Sequence, residues 1–285
     1  MSDLFVSING VRIRYRDSGG EGPAVLMTHG IGESLEFWHR QFDDLGQSLR
    51  LIAWDMPGHG LSDESADAMS LEGQAGVAWK LLDQLGVERV HLVGNSLGAA
   101  MSLRMADQTP TRVSSLLLAN SAALGAEVFG AFKLMTLPWL GELMNKPGPM
   151  AVAQQIKAIV HRPEAITPLV RAAIERNVRR PGAAAHFLSQ LRAMTTLRGQ
   201  RREVWTRSHQ ILKGLSIPTR IVHGEQDVVL PISHSLTAHG LCNGSEFVRL
   251  QDCGHTPQLE QPEVFNALLR KWLPKKSEAP LQCAV

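Results

Sequence analysis

The chain has 285 residues, 44% of them hydrophobic and 20% charged, with a formal net charge of +2. A chain of this length buries roughly three quarters of its unfolded surface, which fits one large domain, alone or with an inserted lid, and excludes a disordered chain. So small a charge gives no field that points to nucleic acid or a membrane surface, and Cys242, Cys253 and Cys283 have neither the even count of a disulfide framework nor the spacing of a metal site.

Met1 to Phe5 show no basic patch followed by an apolar stretch, and no apolar run approaches the ~18 residues of a membrane span. A cytoplasmic protein, monomer or homodimer, is expected. Leu4 to Ile8 and Val11 to Arg16 alternate around Asn9-Gly10, a two-residue hairpin signal. Ala24 to Met27, Leu51 to Trp54, Val90 to Val93, Leu116 to Ala119 and Thr219 to Val222 are short apolar runs bounded by Gly or Pro, which suit strands buried on both faces of a parallel sheet. Leu71 to Leu85 and Leu97 to Asp107 read as the helices between them. Alternation of this kind predicts an α/β fold with right-handed crossovers.

Between Ser121 and Leu215 the strand runs vanish, and helices broken at Pro138, Pro147-Gly148-Pro149, Pro163, Pro168 and Pro181-Gly182 take their place. The pattern predicts a core over 1–121, a helical cap over 122–214, a returning core over 215–274 closed by a helix from Glu260 to Trp272, and a flexible tail over 275–285. The cap should cover the C-terminal sheet edge, where ligands bind in open α/β sheets.

Gly94-Asn95-Ser96-Leu97-Gly98 lies between the run at Val90 and the helix from Leu97. G-x-S-x-G between a strand and a helix is a nucleophile elbow, which exposes a serine hydroxyl at a tight turn beside a helix N-terminus. Ser96 is therefore the candidate nucleophile. A serine needs a base oriented by an acid. His255, on a loop after the last strand-like run, is the candidate base. Asp227, beyond the run at Thr219, is the candidate acid, with Glu225 and Asp252 as competitors. The oxyanion needs fixed donors; the backbone N–H groups of Leu97 and Ile31 are the candidates, Ile31 lying in His29-Gly30-Ile31-Gly32. His29 reads as a loop-packing histidine. Phe37, Trp38, Asn95, Leu124, Phe132 and Trp139 are expected to line a pocket, apolar except for Asn95.

The sequence resembles the α/β-hydrolase family, in its cap-bearing serine hydrolase branch of carboxylesterases and C–C bond hydrolases. The resemblance rests on His29-Gly30-Ile31-Gly32, Asp55-Met56-Pro57-Gly58-His59-Gly60-Leu61-Ser62, the elbow at Ser96, Gly224-Glu225-Gln226-Asp227, and Gly254-His255 followed by Glu260-Gln261-Pro262. It implies a mostly parallel eight-stranded sheet with a helical cap, the triad Ser96, Asp227, His255, a structural role for His59, and no cofactor. A serine at the elbow argues against the epoxide hydrolases and haloalkane dehalogenases, which place a carboxylate there. Hydrolases of meta-ring-fission products often carry Gly-Asn-Ser at the elbow, as here, but tend to have a glycine-rich oxyanion loop and a Trp after the histidine; this chain has Glu33-Ser34-Leu35 and Thr256. The expected activity is hydrolysis of a hydrophobic, modest-sized small-molecule ester through an acyl-enzyme. C–C bond hydrolysis, enol-lactonase or cofactor-free haloperoxidase activity, and a small-ligand receptor on the same fold, are the alternatives.

Overall fold

The computed structural model describes residues 2–273; the tail expected over 275–285, Cys283 included, lies outside the described residues. Strands β1 (Leu4–Ile8) and β2 (Val11–Asp17) form the hairpin, and Asn9 and Gly10 both take positive φ, as a tight two-residue turn requires. The other strands of the main sheet are β3 (Ala24–Thr28), β4 (Arg50–Trp54), β5 (Val90–Asn95), β6 (Val113–Ala119), β7 (Thr219–Gly224) and β8 (Glu246–Leu250). Their order is β1-β2-β4-β3-β5-β6-β7-β8. β2 runs antiparallel to β1 and β4, and the remaining pairs are parallel. From β3 the chain steps to β4 on one side and β5 on the other, so the sheet reverses its winding at β3. The loops after β3 and β5 therefore open at one crevice on the C-terminal edge.

Twelve α-helices are described: α1 (His39–Leu45), α2 (Leu71–Gln84), α3 (Leu97–Gln108), α4 (Gly130–Met135), α5 (Leu140–Met144), α6 (Pro149–Ile159), α7 (Pro168–Arg179), α8 (Ala183–Met194), α9 (Arg202–Gly214), α10 (Ile232–Leu241), α11 (Pro257–Glu260) and α12 (Pro262–Trp272). None is long and apolar enough to cross a membrane. Alternate side chains of the central strands feed two cores. Leu26, Ile52 and Leu92 pack with α2, α3 and α9, while Val25, Met27, Leu51 and Val93 pack with Trp38, Leu45 and, on α12, Phe265 and Leu269. Burial on both faces explains why these strands read as continuous apolar runs.

Three expectations are corrected. The closing helix does not run from Glu260 to Trp272, because Pro262 has no N–H to continue a helix and instead opens α12. The block between β6 and β7 holds a two-residue strand pair, Thr195-Thr196 with Gly199-Gln200. And α9 belongs to the core layer rather than to a cap reaching 214: Ile211 and Leu212 are buried in the sheet core, and Arg104 of α3 donates to the Ser208 hydroxyl and the Val204 carbonyl.

Charge joins α7 to the core. Arg14 on β2 is fully buried, 2.6 Å from Glu36 and 3.0 Å from Asp55. Glu36 also receives Arg176 of α7 at 2.9 Å and the Ser34 hydroxyl at 2.6 Å. Burial works to raise its pKa, but the Arg176 and Ser34 hydrogen bonds and the Arg14 charge hold it well below the ordinary carboxylate range. Asp55 accepts the N–H groups of Leu35 and Leu61 and so ties together the loops after β3 and β4. Removing one partner from a buried ionic cluster strands the others. Glu36→Gln is expected to cost about 3–5 kcal/mol, read as a lower urea midpoint at unchanged slope; an unchanged midpoint would show that the cluster contributes nothing.

Candidate active site

β5 ends in Asn95, and Ser96 follows at φ 55°, ψ −118°, directly before α3. A non-glycine residue there is strained. The conformation is held by the Ser96 N–H on the Ala119 carbonyl at 3.0 Å and by the Ser96 carbonyl, which accepts from Ala99, Ala100 and Ala122. Gly98 makes the turn possible: a Cβ there would overlap the carbonyls of Thr28 and His29. The first turn of α3 thus lies against the end of β3. Leu97 opens α3, where the first N–H groups have no intrahelical acceptor.

The loop after β3 is fixed on both sides of Ile31. The Glu33 carboxylate accepts the Gly30 N–H at 2.7 Å, and Gln155 of α6 donates to the Gly32 carbonyl at 3.3 Å. His29 binds the Gly30 carbonyl through Nδ1 and accepts the Met56 N–H at Nε2. Burial lowers its pKa to about 4, so it is a neutral packing residue. Buried His59 meets the Pro57 carbonyl at 3.1 Å, within its turn.

His255 and Asp227 come together, with His255 Nδ1 2.8 Å from Asp227 Oδ2. Both are buried. Asp227 is anchored from three directions: Oδ1 accepts the N–H groups of Val229 and Leu230 at 2.7 and 3.1 Å, and Oδ2 accepts Asn120 Nδ2 at 2.7 Å. The histidine loop is anchored as firmly. Asn95 Nδ2, one residue before the serine, donates to the His255 carbonyl at 2.9 Å. Glu260 accepts from Gly254 beside His255 and from His161 and Arg162 after α6. Among the competing acids, Glu225 pairs with Arg249 on the surface and Asp252 faces outward toward His161.

Burial alone would lower the His255 pKa, but the charge and hydrogen bond of Asp227, with Glu33 and Glu260 nearby, raise it above its ordinary value. Burial would raise that of Asp227, yet the His255 charge and hydrogen bond hold it below its own. Glu33 is pushed up to about 7, chiefly by burial, against the Gly30 N–H and His255.

The pocket residues divide. Phe132 stands half-buried with its ring edge-on to Phe129 and Phe187 at 5.8 and 5.9 Å. Together with Ile31, Val229 and Leu230 they form an apolar wall shared by cap and core. The other five expectations are corrected. Trp139 is 88% exposed because it caps α5 on its outer side. Trp38 packs against Phe265 beneath the sheet, and Leu124 lies in the opposite core. Phe37 is fully buried between Val152, Ile156 and Leu259, joining cap to core rather than lining a cavity. Asn95 is spent on the His255 and Ala119 carbonyls. Arg192 of α8 bonds the Thr136 and Leu137 carbonyls and Glu142 within the cap and is not free to meet a substrate carboxylate. Asn120, Gln155, Glu260 and Phe187 were not read from the sequence as site residues; Asn120 had one signal, its place directly after the run ending at Ala119.

A doubly wound sheet with a serine elbow and a buried Asp–His pair on neighbouring loops defines an α/β hydrolase. Residues 23–262 match the family model described as the alpha/beta hydrolase fold, and the chain belongs to this family. It is 30% identical over 267 residues to the 2-hydroxy-6-oxo-6-phenylhexa-2,4-dienoate hydrolase of Comamonas testosteroni, covering 90% of this chain and 89% of the relative. It is 28% identical over 272 residues to the dihydrolipoyllysine-residue acetyltransferase component of the acetoin cleaving system of Cupriavidus necator, covering 94% of this chain and 68% of that one. Among solved structures it is similar to Est816, described as an N-acyl homoserine lactone degrading enzyme, at TM-score 0.73 and 27% identity over 94% of this chain and all of that one.

A carboxylate beside an imidazolium favours its charged form. Glu33→Gln is therefore expected to lower the His255 pKa. NMR titration of the His255 ring should give a value above 6.5 in the parent chain and a smaller one in the variant; an unchanged or higher value would remove Glu33 from the site's electrostatics.

Proposed function

We propose that this hydrolase cleaves a hydrophobic, modest-sized ester through an acyl-enzyme, with Ser96 as nucleophile, His255 as general base and Asp227 as the orienting acid. The observation that carries the reading is the strained serine directly after Asn95, whose amide holds the carbonyl of His255 in the buried carboxylate–imidazole pair. Asp227 accepts a hydrogen bond from the Nδ1–H of His255, which keeps the ring proton on Nδ1 and leaves Nε2 free to take the Ser96 hydroxyl proton. The Ser96 oxygen attacks the ester carbonyl, and the N–H groups of Ile31 and Leu97 receive the charge that develops on its oxygen. Collapse breaks the ester bond, and His255 gives its proton to the departing alkoxide. Water, deprotonated by the same nitrogen, then attacks the acyl-enzyme and releases the acid. As written, the reaction draws on no metal or cofactor.

The wall of Ile31, Phe129, Phe132 and Phe187 favours an apolar acyl or aryl group. Helices α4 to α8 form the cap above it. The 2-hydroxy-6-oxononadienedioate and 2-hydroxy-6-oxo-6-phenylhexa-2,4-dienoate hydrolases among the relatives favour a second reading, C–C bond cleavage by the same residues. The ester stands first because Arg192 is engaged within the cap and Thr256 follows the histidine. The buried free thiols Cys242 and Cys253 suit a reducing, cytoplasmic setting.

Ser96→Ala is expected to lower kcat on p-nitrophenyl esters by on the order of 10⁴–10⁶ and to abolish labelling by a fluorophosphonate probe. Asp227→Asn should cost about 10⁴, whereas Glu225→Gln should change little. A serine variant keeping a tenth of the activity would overturn the assignment. A panel of graded p-nitrophenyl esters, a lactone and a ring-fission dienoate separates the two substrate readings. Because the free base is the active form, kcat/KM should rise with pH, with its half-point above about 6.5. A flat profile from about pH 5 to 9 would rule out a histidine base.

A further inference from the structure

The outer face of the cap is apolar where a surface has no reason to be. Leu134, Trp139, Leu143 and Met150 are 46%, 88%, 71% and 74% exposed, all between residues 134 and 150. Pro138, Pro147 and Pro149 are exposed among them. The inner face of the same segment is already packed: Met135 is buried with Leu188 and Leu191, and Phe132 and Met144 close that cluster beside Ile31. The exposed residues are thus a second apolar face rather than a loosely packed first one.

Backbone holds the indole outward. Trp139 takes φ 70°, a region that non-glycine residues rarely adopt. It is locked there by the Leu140 N–H on the Pro138 carbonyl and the Leu143 N–H on its own carbonyl. Trp139 and Leu143 are one helical turn apart, on one side of α5. On α6, Met150, Ala153, Gln154 and Lys157 form one exposed stripe at helical spacing, apolar at its start and basic two turns on.

Charge selects the occupant. Residues 127–159 carry Lys133, Lys146 and Lys157 and two carboxylates, Glu127 and Glu142. Glu142 is paired with Arg192 at 2.8 Å and Glu127 with His234 at 2.6 Å, and Lys133 is half-buried near Glu127, so the exposed Lys146 and Lys157 are the charge this face presents. The overall charge of +2 conceals this local asymmetry. A second copy docked by two-fold symmetry would set like charges against each other. A phosphate-bearing surface would pair with them while aromatic and aliphatic side chains enter its acyl boundary.

We propose that this tip of the cap docks on an anionic phospholipid surface, with Trp139, Leu143 and Met150 inserted and Lys146 and Lys157 on the lipid phosphates. Docking is read without turnover, so its failure and that of the hydrolase reading are separable.

The test is flotation of the full chain with phosphatidylcholine vesicles, with and without phosphatidylglycerol. The parent chain should float with the anionic vesicles, and added salt should weaken this. The triple variant Trp139→Ser, Leu143→Ser, Met150→Gln should lower the bound fraction at least about tenfold, with turnover of a short soluble ester within about twofold of the parent. Bromine-labelled acyl chains should quench fluorescence in the parent and much less in Trp139→Phe, which still floats. No flotation, or equal flotation of the triple variant, overturns the proposal. So does light scattering that shows a parent dimer, dissociated by the triple substitution, with no vesicle binding; the face then belongs to a second copy.

Discussion

The close approach of α3 to the end of β3 is the constraint on which the site depends. Only glycine at 98 lets the helix come this near to the end of β3 and the loop that follows it. The cost is the backbone of Ser96, on the order of 1–3 kcal/mol for such a conformation. Two buried elements offset it. β5 is buried along its whole length, and α3 buries ten consecutive residues from Leu97 to Ala106. Neither can relax without giving up far more apolar burial than the strain is worth.

A carboxylate in a dry site is costly unless each lone pair finds a donor. Asp227 meets that condition through Val229, Leu230, Asn120 and His255, which come from three separate stretches of chain. The same burial that would neutralise it makes its attraction for the imidazole strong. The outcome is an ion-accepting pair whose pKa values move apart, carboxylate downward and imidazole upward. Such a separation lets one group remain ionised while the other moves protons.

Much of the fold was legible because parallel strands buried on both faces leave an unmistakable trace. Ala24–Thr28 and Arg50–Trp54 are apolar but for one residue each, and Val90 to Val93 but for His91. The local chemistry at 94–98 was equally plain. What escaped was set by tertiary contact. Nothing near α9 in sequence reveals that Ile211 and Leu212 face the sheet rather than the cap. Apolar character alone did not say that Trp139 points outward while Phe132 points in. Asn120 meets Asp227 and Gly254, 107 and 134 residues away along the chain, and Glu260 meets His161, 99 residues away. An amide at a strand end carries no mark of the carboxylate it will hold.

That amide has a consequence for how such a site changes over generations. Asn120 is one hydrogen bond from the Asp227 carboxylate and shares with it the neighbourhood of the Gly254 carbonyl, next to His255. Asn120 and Asp227 meet from the ends of adjacent strands, so a single amide-to-acid exchange at 120 would put a second carboxylate within hydrogen-bond distance of the first. Two carboxylates that close do not both ionise, and the pair would hold one proton between them. One substitution would thus turn a fixed anion into a proton-sharing pair.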